Sequence, residues 1–382
     1  MKKILLTGGA GFIGAELVKQ LDENGSFEIT VLDVLSEQIH GAESEKSNLF
    51  RAIQDRCRFI RADIRDLDAV RQTIGENEII IHLAAETGTG QSMYRINRYN
   101  EVNVMGTSNL FQAISLLGKK SNVSKLILTS SRAVYGEGKY TCSHCGSVYP
   151  KGRSVEKMQR GDFAVYCDQC GEKLSPAPTP EDAAITPRSL YAFTKYAQEK
   201  MLETMCPALD IGYTIFRLQN VYGVGQSLRN PYTGILSIFS SLLLENRPVN
   251  IFEDGKESRD FIHVSDVAAA IIQSLECPET NGQVINLGSG VGTDVLTVTR
   301  MLKEIYGSKS SIKVTGDFRI GDIAYNVADI GRAQRLLGFK HHVGLRQGME
   351  SFCAWVAGQK CDSSGYENSL DEMKRAGMFI QH

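Results

Sequence analysis

The stretch TGGAGFIG, residues 7–14, decides the fold of this 382-residue chain. It follows a short β-rich run, KILLT (3–7), and it precedes an amphipathic segment, AELVKQLDENG (15–25), and a second β-rich run, EITVLD (28–33). A strand, a glycine-rich turn, a helix and a second strand form a unit that binds dinucleotides, and this order carries more information than the glycines alone. The beginning of the chain is therefore predicted to bind a dinucleotide cofactor.

Four residues of this unit have separate physical tasks. Gly8 and Gly11 are predicted to let the backbone approach a pyrophosphate at the helix N-terminus, where free N–H groups favour negative charge. Gly14 would let the helix lie close to the sheet. Asp33 ends the second strand 19 residues after Gly14, where a carboxylate accepts hydrogen bonds from both ribose hydroxyls and repels a 2′-phosphate. The predicted cofactor is therefore NAD, in preference to NADP.

Strands and helices continue to alternate up to residue 131. The segments are RFIRADIRD (58–66), LDAVRQTIG (67–75), EIIIHLAAE (78–86), a long helix from about Ser92 to Leu117, and KLILTSS (125–131). This order predicts an α/β fold with a Rossmann-type doubly wound parallel sheet, whose ligand crevice lies at the carboxyl ends of the strands. The residues predicted to meet in that crevice are Gly8 to Gly14, Asp33, Asp63, Ala84 to Glu86, Ser130 and Ser131.

The bulk composition argues against several classes of protein. The formal net charge is −2 and the pI is about 6.4, so no overall charge indicates nucleic acid or an anionic membrane as a partner. Apolar runs such as IIIHLAA are far shorter than the roughly 18 residues that a membrane span needs. The N-terminal MKKILL leads into a glycine-rich turn instead of a cleavage site, which favours a buried strand over a secretory signal. We expect a cytoplasmic protein that binds neither nucleic acid nor membrane.

Ser131, Tyr191 and Lys195 are the candidate catalytic residues. Tyr191 and Lys195 are four positions apart in YAFTK (191–195), so on a helix they share one face. An ammonium group beside a phenol is expected to lower the phenol pKa from its ordinary value near 10, and a bound nicotinamide cation would lower it further. The phenolate then takes the proton of a substrate alcohol while a hydride passes to the cofactor. Ser131 would hydrogen-bond the same oxygen.

Several motifs together resemble one family. They are TGGAGFIG (7–14), ADIRD (62–66), HLAAE (82–86), NVMGTSNL (103–110), SSRAVYG (130–136), YAFTK (191–195), RLQNVYG (217–223) and RDFIHVSDVA (259–268). The set is similar to the extended short-chain dehydrogenase/reductase family, specifically its nucleotide-sugar epimerases and dehydratases. The resemblance runs from residue 1 to about 357, apart from an insertion, and it implies an NAD-dependent enzyme that acts on a nucleotide sugar.

The resemblance also implies a role for each matching residue. Lys195 would bond the nicotinamide ribose in addition to its action on Tyr191. Cofactor contacts are implied for Gly8, Gly11, Phe12, Ile13, Gly14, Asp33, Asp63, Ile64, Leu83, Ala84 and Ala85, with Asn103 supporting the active-site helix. Substrate contacts are implied for Glu86, Arg132, Asn220, Arg259 and Arg319. The stretch FRIGD (318–322) departs from the family's Arg-Pro-Gly-Asp pattern at Ile320, and Arg319 is expected to reach the diphosphate.

The residues after Ser131 discriminate between two reactions of this family. A 4,6-dehydratase needs an extra acid–base pair, which in the family's dehydratases follows the catalytic hydroxyl residue. This chain has Arg132 and Ala133 there, and neither serves that purpose at neutral pH. The catalytic trio suffices for 4-epimerisation through a 4-keto sugar, and SSRAVYGEG with the later NPYTG (230–234) resembles a branch acting on UDP- or dTDP-(deoxy)hexoses such as dTDP-L-rhamnose. A nucleotide-sugar 4-ketoreductase or dehydrogenase and a non-catalytic NAD-sensing scaffold are the alternatives.

A metal-binding pattern lies within the 59 residues that separate the catalytic serine from the tyrosine. Cys142 and Cys145, then Cys167 and Cys170, form two C-x-x-C-G pairs. Four thiolates suit tetrahedral zinc in a closed site, so zinc is expected to be structural; a redox dithiol is the less favoured interpretation. Metal binding would supply folding energy that so short a segment does not obtain from its own core. We expect this zinc ribbon to lie beside the sugar pocket, as a lid or as part of a subunit contact, because its ends attach to the candidate catalytic strand and helix.

The chain is predicted to have three parts. Residues 1–220 form the NAD-binding domain with the zinc ribbon inserted at 137–178, residues 221–360 form a smaller substrate-binding lobe partly interleaved with the sheet, and residues 361–382 form a mobile tail with one short helix. The ribbon shows no basic stripe for nucleic acid. The expected partners are a small-molecule nucleotide sugar and, on the resemblance alone, a second copy in a homodimer.

Overall fold

The computed structural model describes residues 1–228, 234–359 and 364–382. Most of NPYTG (230–234) and the first residues of the predicted tail lie outside the described residues. The strands are β1 (Lys2–Thr7), β2 (Phe27–Asp33), β3 (Arg58–Arg61), β4 (Ile79–His82), β5 (Lys125–Ser131), β6 (Tyr140–Cys142), β7 (Gly146–Val148), β8 (Ser175–Pro176), β9 (Gly212–Leu218), β10 (Asn220–Tyr222), β11 (Val249–Ile251), β12 (Ser258–His263), β13 (Gln283–Leu287), β14 (Gly292–Asp294), β15 (Ile312–Val314), β16 (Phe318–Arg319), β17 (Tyr325–Asn326) and β18 (Phe379–Ile380).

The helices vary from single turns to nineteen residues. The α-helices are α1 (Phe12–Asn24), α2 (Glu37–His40), α3 (Asn48–Ile53), α4 (Leu67–Ile74), α5 (Thr89–Ser92), α6 (Ile96–Tyr99), α7 (Gly106–Leu117), α8 (Val155–Met158), α9 (Leu190–Ala208), α10 (Ile235–Leu244), α11 (Val264–Ser274), α12 (Val295–Tyr306), α13 (Gly331–Leu337), α14 (Leu345–Ala357) and α15 (Ser364–Arg375). A π-helix covers Asn100–Met105, and 3₁₀ turns cover Ser44–Lys46, Gly118–Lys120, Arg132–Tyr135 and Pro278–Thr280. Among the described residues, no helix is both long and apolar enough to cross a membrane.

Seven parallel strands form the central sheet, in the order β13-β9-β5-β4-β1-β2-β3. The middle strands are buried on both faces, as a parallel sheet with helices on either side requires. From β1 the chain builds outward through β2 and β3 on one side, and through β4 and β5 on the other. The strand order therefore reverses between β1 and β4, where a crevice opens at the carboxyl ends. The predicted doubly wound sheet is confirmed.

The sheet lies between two apolar layers. Helices α1 and α11 pack together on one face, and α4, α7 and α9 cover the other. Strand β13 and helix α11 come from the second half of the chain, so this half contributes to the central sheet as well as to a separate lobe. The lobe has its own core, in which α10, α12 and α14 pack together.

The helix predicted from about Ser92 to Leu117 differs in the structure. Helix α5 ends at Ser92, and the continuous helical segment begins only at Ile96, running through α6, the π-helix and α7. The π-helix widens one turn of this segment and carries Asn103, whose side chain binds two neighbouring elements. The spacing of apolar residues in the sequence does not reveal a π-helix, because the wider turn shifts that spacing by only one residue.

Two peripheral parts complete the chain. Residues 137–178, here called the insert, carry the small antiparallel sheet β7-β6-β8. The C-terminal residues were predicted to be a mobile tail with one helix, but the structure also has strand β18, which pairs antiparallel with β16 of the lobe. Phe379 in β18 is buried against Phe252, which explains why this end of the chain lies against the lobe.

Candidate active site

A cavity of about 480 Å³ opens at the carboxyl ends of the central strands. Most of the predicted site residues line it: Gly8, Gly11, Phe12, Ile13, Gly14, Asp33, Asp63, Ile64, Leu83, Ala84, Ala85, Glu86, Ser131, Arg132, Tyr191, Lys195 and Asn220. Leu236 and Phe261 of the lobe also line this cavity. The structure thus brings the residues predicted for cofactor, catalysis and substrate to one place.

The turn after β1 leaves no room for side chains. Gly8 has a φ of 72°, and a Cβ there would lie 2.6 Å from the backbone nitrogen of Ala84. A Cβ on Gly14 would lie 2.5 Å from the backbone of Gly9, so the helix approaches the turn as closely as its residues allow. The first N–H groups of any α-helix have no partner within the helix. Helix α1 begins after Gly11, and no side chain caps these groups. These features fit a pyrophosphate held at the helix N-terminus.

Asp33 presents a carboxylate fixed by the backbone. Its Oδ2 accepts a hydrogen bond from the Ala10 N–H at 3.0 Å, and its Oδ1 accepts one from the Leu35 N–H at 2.8 Å. Burial raises the pKa of Asp33, and the Leu35 N–H and the nearby His40 act against this increase. His40 also lines the cavity, and no sequence motif had indicated it. The carboxylate lies where an adenosine ribose is expected, so the residues present fit NAD.

The catalytic trio comes from two elements. Ser131 ends β5, and Tyr191 and Lys195 lie one turn apart at the start of α9. The Ser189 hydroxyl caps this helix by accepting a hydrogen bond from the Ala192 N–H at 3.2 Å. Ser131 and Tyr191 line the same cavity, as the proposed sharing of one substrate oxygen requires.

The electrostatics of the trio differ from the prediction. Burial raises the pKa of Tyr191, and the opposing influences are its hydrogen bond with Ser131 and the charge of Arg132. Burial also lowers the pKa of Lys195 to about 7, against the influence of Glu199. Lys195 is therefore not among the groups that lower the pKa of Tyr191 here, and its expected effect on the phenol stays a prediction for the NAD-bound enzyme.

A buried ion pair lies behind the catalytic lysine. Glu199, one turn after Lys195, accepts hydrogen bonds from Arg217 Nε at 3.0 Å and Arg217 Nη2 at 2.7 Å, and also one from the Ser130 hydroxyl. Because Arg217 neutralises Glu199, this carboxylate does not fully restore the charge of Lys195. No sequence motif indicated this pair, although a charged residue inside the apolar strand YTIFRL (213–218) favours a buried partner.

Arg132 supplies a cation to the sugar side of the cavity. Its Nε donates a hydrogen bond to Asn220 Oδ1 at 2.8 Å, and both residues line the cavity. Burial, with the charge of Arg259, lowers the pKa of Arg132 to about 9. Two guanidinium groups close enough to destabilise each other favour an anionic ligand, because a bound anion relieves their repulsion.

Three predicted residues do not line the cavity. Asn103 supports it from behind, because its side chain accepts from the Glu86 N–H at 2.7 Å and donates to Thr194 Oγ1 at 2.9 Å. The Arg259 guanidinium donates to the Ser258 carbonyl at 3.0 Å. Arg319 pairs with Asp322 at 2.7 Å and lies over the Phe252 ring.

Two of the acidic residues that line the cavity are held by arginines. Asp63 is paired with Arg65 at 2.8 Å, and the hydrogen bonds from Arg65 outweigh burial and lower the pKa of Asp63. Glu86 is paired with Arg98, its Oε1 lying 2.7 Å from Nε. Both carboxylates are therefore oriented before a ligand binds.

The four cysteines of the insert converge, as their spacing predicted. The ligand atoms of Cys142, Cys145, Cys167 and Cys170 all lie within 4.8 Å of one another. The residue after each second cysteine, Gly146 or Gly171, has a positive φ near 75°, which the turn around a metal-bound sulfur needs. The donor set therefore fits a tetrahedral zinc ion.

The chain belongs to the NAD dependent epimerase/dehydratase family, whose model matches residues 4–153 and 165–288. It is an enzyme of this family, and the resemblance drawn from its motifs is confirmed. It is 38% identical to the dTDP-L-rhamnose 4-epimerase of Burkholderia thailandensis, over 93% of this chain and 95% of that one. A putative UDP-glucose 4-epimerase of Methanocaldococcus jannaschii is 29% identical, over 92% of this chain and 98% of the other.

Solved structures of similar fold include two epimerases. The UDP-glucose 4-epimerase from Thermotoga maritima, crystallised with UDP-glucose, gives a TM-score of 0.74 at 27% identity and covers 93% of this chain and 98% of its own. The UDP-glucuronic acid 4-epimerase from Bacillus cereus, in complex with UDP-glucuronic acid and NAD, gives a TM-score of 0.75 at 25% identity, over 93% and 99% of the two chains.

Proposed function

We propose that the protein is an NAD-dependent nucleotide-sugar 4-epimerase. One observation carries the proposal: Ser131, Tyr191 and Lys195 line the same cavity as the glycine turn and Asp33. An alcohol in this cavity lies within reach of a proton acceptor and of a cofactor ring at once. Similarity to 4-epimerases over more than nine-tenths of the chain supports the same reaction.

The chain's own residues move protons and hold the sugar. Tyr191 takes the proton of the 4-hydroxyl, while the Ser131 hydroxyl hydrogen-bonds the same oxygen. NAD, when bound, supplies the group that accepts the hydride from C4 and returns it to the opposite face of the sugar. Lys195 bonds the nicotinamide ribose, and its protonated form lowers the pKa of Tyr191. After the 4-keto sugar turns over in the pocket, Tyr191 returns the proton.

The proposed substrate is a UDP- or dTDP-linked (deoxy)hexose, such as dTDP-L-rhamnose. The buried guanidinium of Arg132, with Arg259 close by, supports an anionic substrate. Similarity to the B. thailandensis enzyme supports the dTDP-deoxyhexose in particular. Asn220 holds Arg132 and contributes to the same wall of the cavity. Neither Arg132 nor Ala133 supplies the acid–base pair of a 4,6-dehydratase, which favours epimerisation.

We also propose that the insert binds one structural zinc ion through its four cysteines. The close approach of the four sulfur atoms supports the metal, and their number leaves no open position for a substrate or water. The buried apolar cluster of the insert consists of Tyr140, Val165, Leu174 and two of the cysteines, with a few partly buried residues packed against it, which is little apolar area for a folded unit. Zinc would therefore supply much of its folding energy.

Incubation with a panel of UDP- and dTDP-sugars, followed by proton NMR of the configuration at C4, tests the function. We expect C4 inversion without added NAD, because an epimerase regenerates its cofactor in each turnover. Tyr191→Phe is expected to lower kcat by about 10²–10⁴-fold with bound NAD retained, whereas Tyr196→Phe on the same helix keeps full activity. Net consumption of NADH would assign a 4-ketoreductase instead, and unchanged function in Tyr191→Phe would favour a non-catalytic NAD-sensing scaffold.

A further inference from the structure

Arg153 of the insert has its guanidinium buried between the insert and the lobe. Its side chain is 2% exposed, and those of Glu137 and Glu253 are 2% and 1% exposed. The Arg153 Nη1 and Nη2 atoms bind the two carboxylate oxygens of Glu253, with Nη2 at 2.8 Å from Oε1, and Nε lies 3.5 Å from Glu137 Oε1. One cation therefore balances two buried carboxylates, and neither the zinc site nor the catalytic trio accounts for it.

The Glu253 backbone is strained at this contact. Glu253 has a φ of 49°, a conformation that residues other than glycine rarely adopt. The loop is held by the Glu253 N–H, which donates to the Asp317 carbonyl at 2.8 Å, and by the bidentate contact with Arg153. Strained residues persist where their surroundings hold them, and they cluster at functional sites. The insert thus helps to fix this loop of the lobe through Arg153.

Arg153 also holds the segment that carries Arg319. Its Nη2 donates to the Asp322 carbonyl at 2.8 Å. The Asp322 carboxylate in turn accepts from Arg319 Nε at 2.7 Å, and the Arg319 guanidinium lies over Phe252, the residue before Glu253. Arg153 thus contacts Asp322, which pairs with Arg319, and it contacts Glu253, which follows the Phe252 ring beneath Arg319.

A parallel route leads from Glu137 to Arg259. Glu137 Oε2 accepts from the Ala324 N–H at 3.0 Å, and the Ala324 carbonyl accepts from the Ser258 N–H at 2.8 Å and from Arg259 Nη1 at 3.5 Å. Burial raises the pKa of Glu137 and of Glu253. Two nearby cations oppose this increase: Arg153 acts more strongly, and Arg259 also contributes. Without Arg153, both carboxylates would attract Arg259 away from Arg132.

We propose that Arg153 is a positioning residue for the diphosphate of the nucleotide sugar: it holds the segments bearing Arg259 and Arg319 and neutralises the carboxylates that would compete for them. This inference rests on the proposed function, because it assumes that these two arginines bind a diphosphate. It also gives the insert a task in substrate binding, since the insert is the part of the chain that provides Arg153.

Binding of UDP and dTDP to NAD-loaded protein, measured by calorimetry, tests the proposal. Arg153→Met is expected to raise the Kd of both nucleoside diphosphates by about tenfold or more, the loss that one charge-assisted hydrogen bond represents. KM for the nucleotide sugar should rise with it, while kcat and NAD content change little. The exposed lysine variant Lys151→Met, in the same insert, is the control and should match wild type.

A second variant covers the case in which Arg153→Met does not fold. Arg153→Lys keeps the charge but loses the bidentate contact with Glu253, so it should fold and bind UDP and dTDP with intermediate affinity. Binding within twofold of wild type in Arg153→Lys and in any folded Arg153→Met would overturn the positioning role. A wild-type protein that binds neither nucleoside diphosphate would instead overturn the proposed function.

Discussion

The burial of the Lys195 ammonium group has a cost in folding stability. Burial lowers the pKa of this side chain from 10.5 to about 7, so at neutral pH the folded chain holds a proton there only part of the time. A pyridinium ring and a ribose in the cavity would change how often Lys195 is protonated. Ionisation of Tyr191, whose pKa is raised by burial, depends on the charge of Lys195. The site thus has a stability cost at a residue to which we assign a catalytic role.

We expect Lys195→Met to stabilise the NAD-free protein, and most strongly below pH 7. The unfolded chain binds the lysine proton up to about pH 10.5 and the folded chain only up to about pH 7, so the unfavourable contribution is complete below pH 7 and disappears as pH rises to 10.5. The gain should be on the order of 2–4 kcal/mol at pH 6. Urea unfolding at pH 6, 8 and 10 measures it.

Lys200→Met, on the exposed face of the same helix, is the control for this prediction. It should change the free energy of unfolding by less than about 0.5 kcal/mol at each pH. A difference between Lys195→Met and wild type that stays constant from pH 6 to 10 would contradict the titration of a buried lysine.

The sequence predicted those site residues whose relation is local. Tyr191 and Lys195 are four positions apart on one helix, and Asp33 ends the strand that follows the glycine turn, so a period or a count suffices. Glu199 with Arg217 and Arg153 with Glu253 are pairs between distant segments. Their partners follow from tertiary packing, which a single sequence with no known structure does not provide.

At the scale of elements, the alternation of strands and helices predicted the sheet, which is held together by apolar burial. The insert is expected to be held together by its cysteines instead. Strands β1, β2, β4 and β5 are mostly buried on account of their apolar runs, whereas the edge strand β3 is not. The π-helix and strand β18 were missed, because each is set by contacts with distant residues. The insert buries only a small apolar cluster among the described residues, so its fold is expected to depend on four sulfur atoms held together.

Removal of one cysteine is therefore expected to unfold the insert and to spare the sheet. Wild-type protein should hold about one zinc ion per chain, and Cys142→Ser should lose it, because three thiolates leave the tetrahedral site incomplete. Limited proteolysis should then cut Cys142→Ser between residues 137 and 178. NAD content should persist, since the glycine turn and Asp33 belong to the sheet.

Metal analysis with Cys57→Ser as the control decides this prediction. Cys57 lies just before β3, outside the cysteine cluster, so its loss should change neither zinc content nor proteolysis. Equal zinc content in Cys142→Ser and wild type would show that the four cysteines do not form the metal site.

At the scale of the whole molecule, large apolar side chains are exposed on the outer face of two adjacent helical segments. Met105 and Leu116 lie eleven positions apart, on one side of the segment formed by the π-helix and α7, with 58% and 54% of their surface exposed. Phe193 of the neighbouring helix α9 is 54% exposed, and the two helices are linked through Asn103 and Thr194. Large exposed apolar side chains on adjacent helices favour a second copy of the chain as the partner, which supports the homodimer expected from the resemblance.

We therefore expect the wild-type protein to sediment as a dimer, and the double variant Met105→Glu with Phe193→Glu to sediment as a monomer, because four carboxylates would be buried at a two-fold contact. Val291→Glu, at a 59% exposed residue of the lobe, is the control and should remain dimeric.

Since α9 carries Tyr191 and Lys195 on its inner face, the loss of a partner on its outer face should also lower kcat while NAD stays bound. A wild-type monomer at micromolar concentration would exclude this surface as the dimer contact, and a monomeric double variant with full kcat would show that the catalytic helix needs no support from the partner.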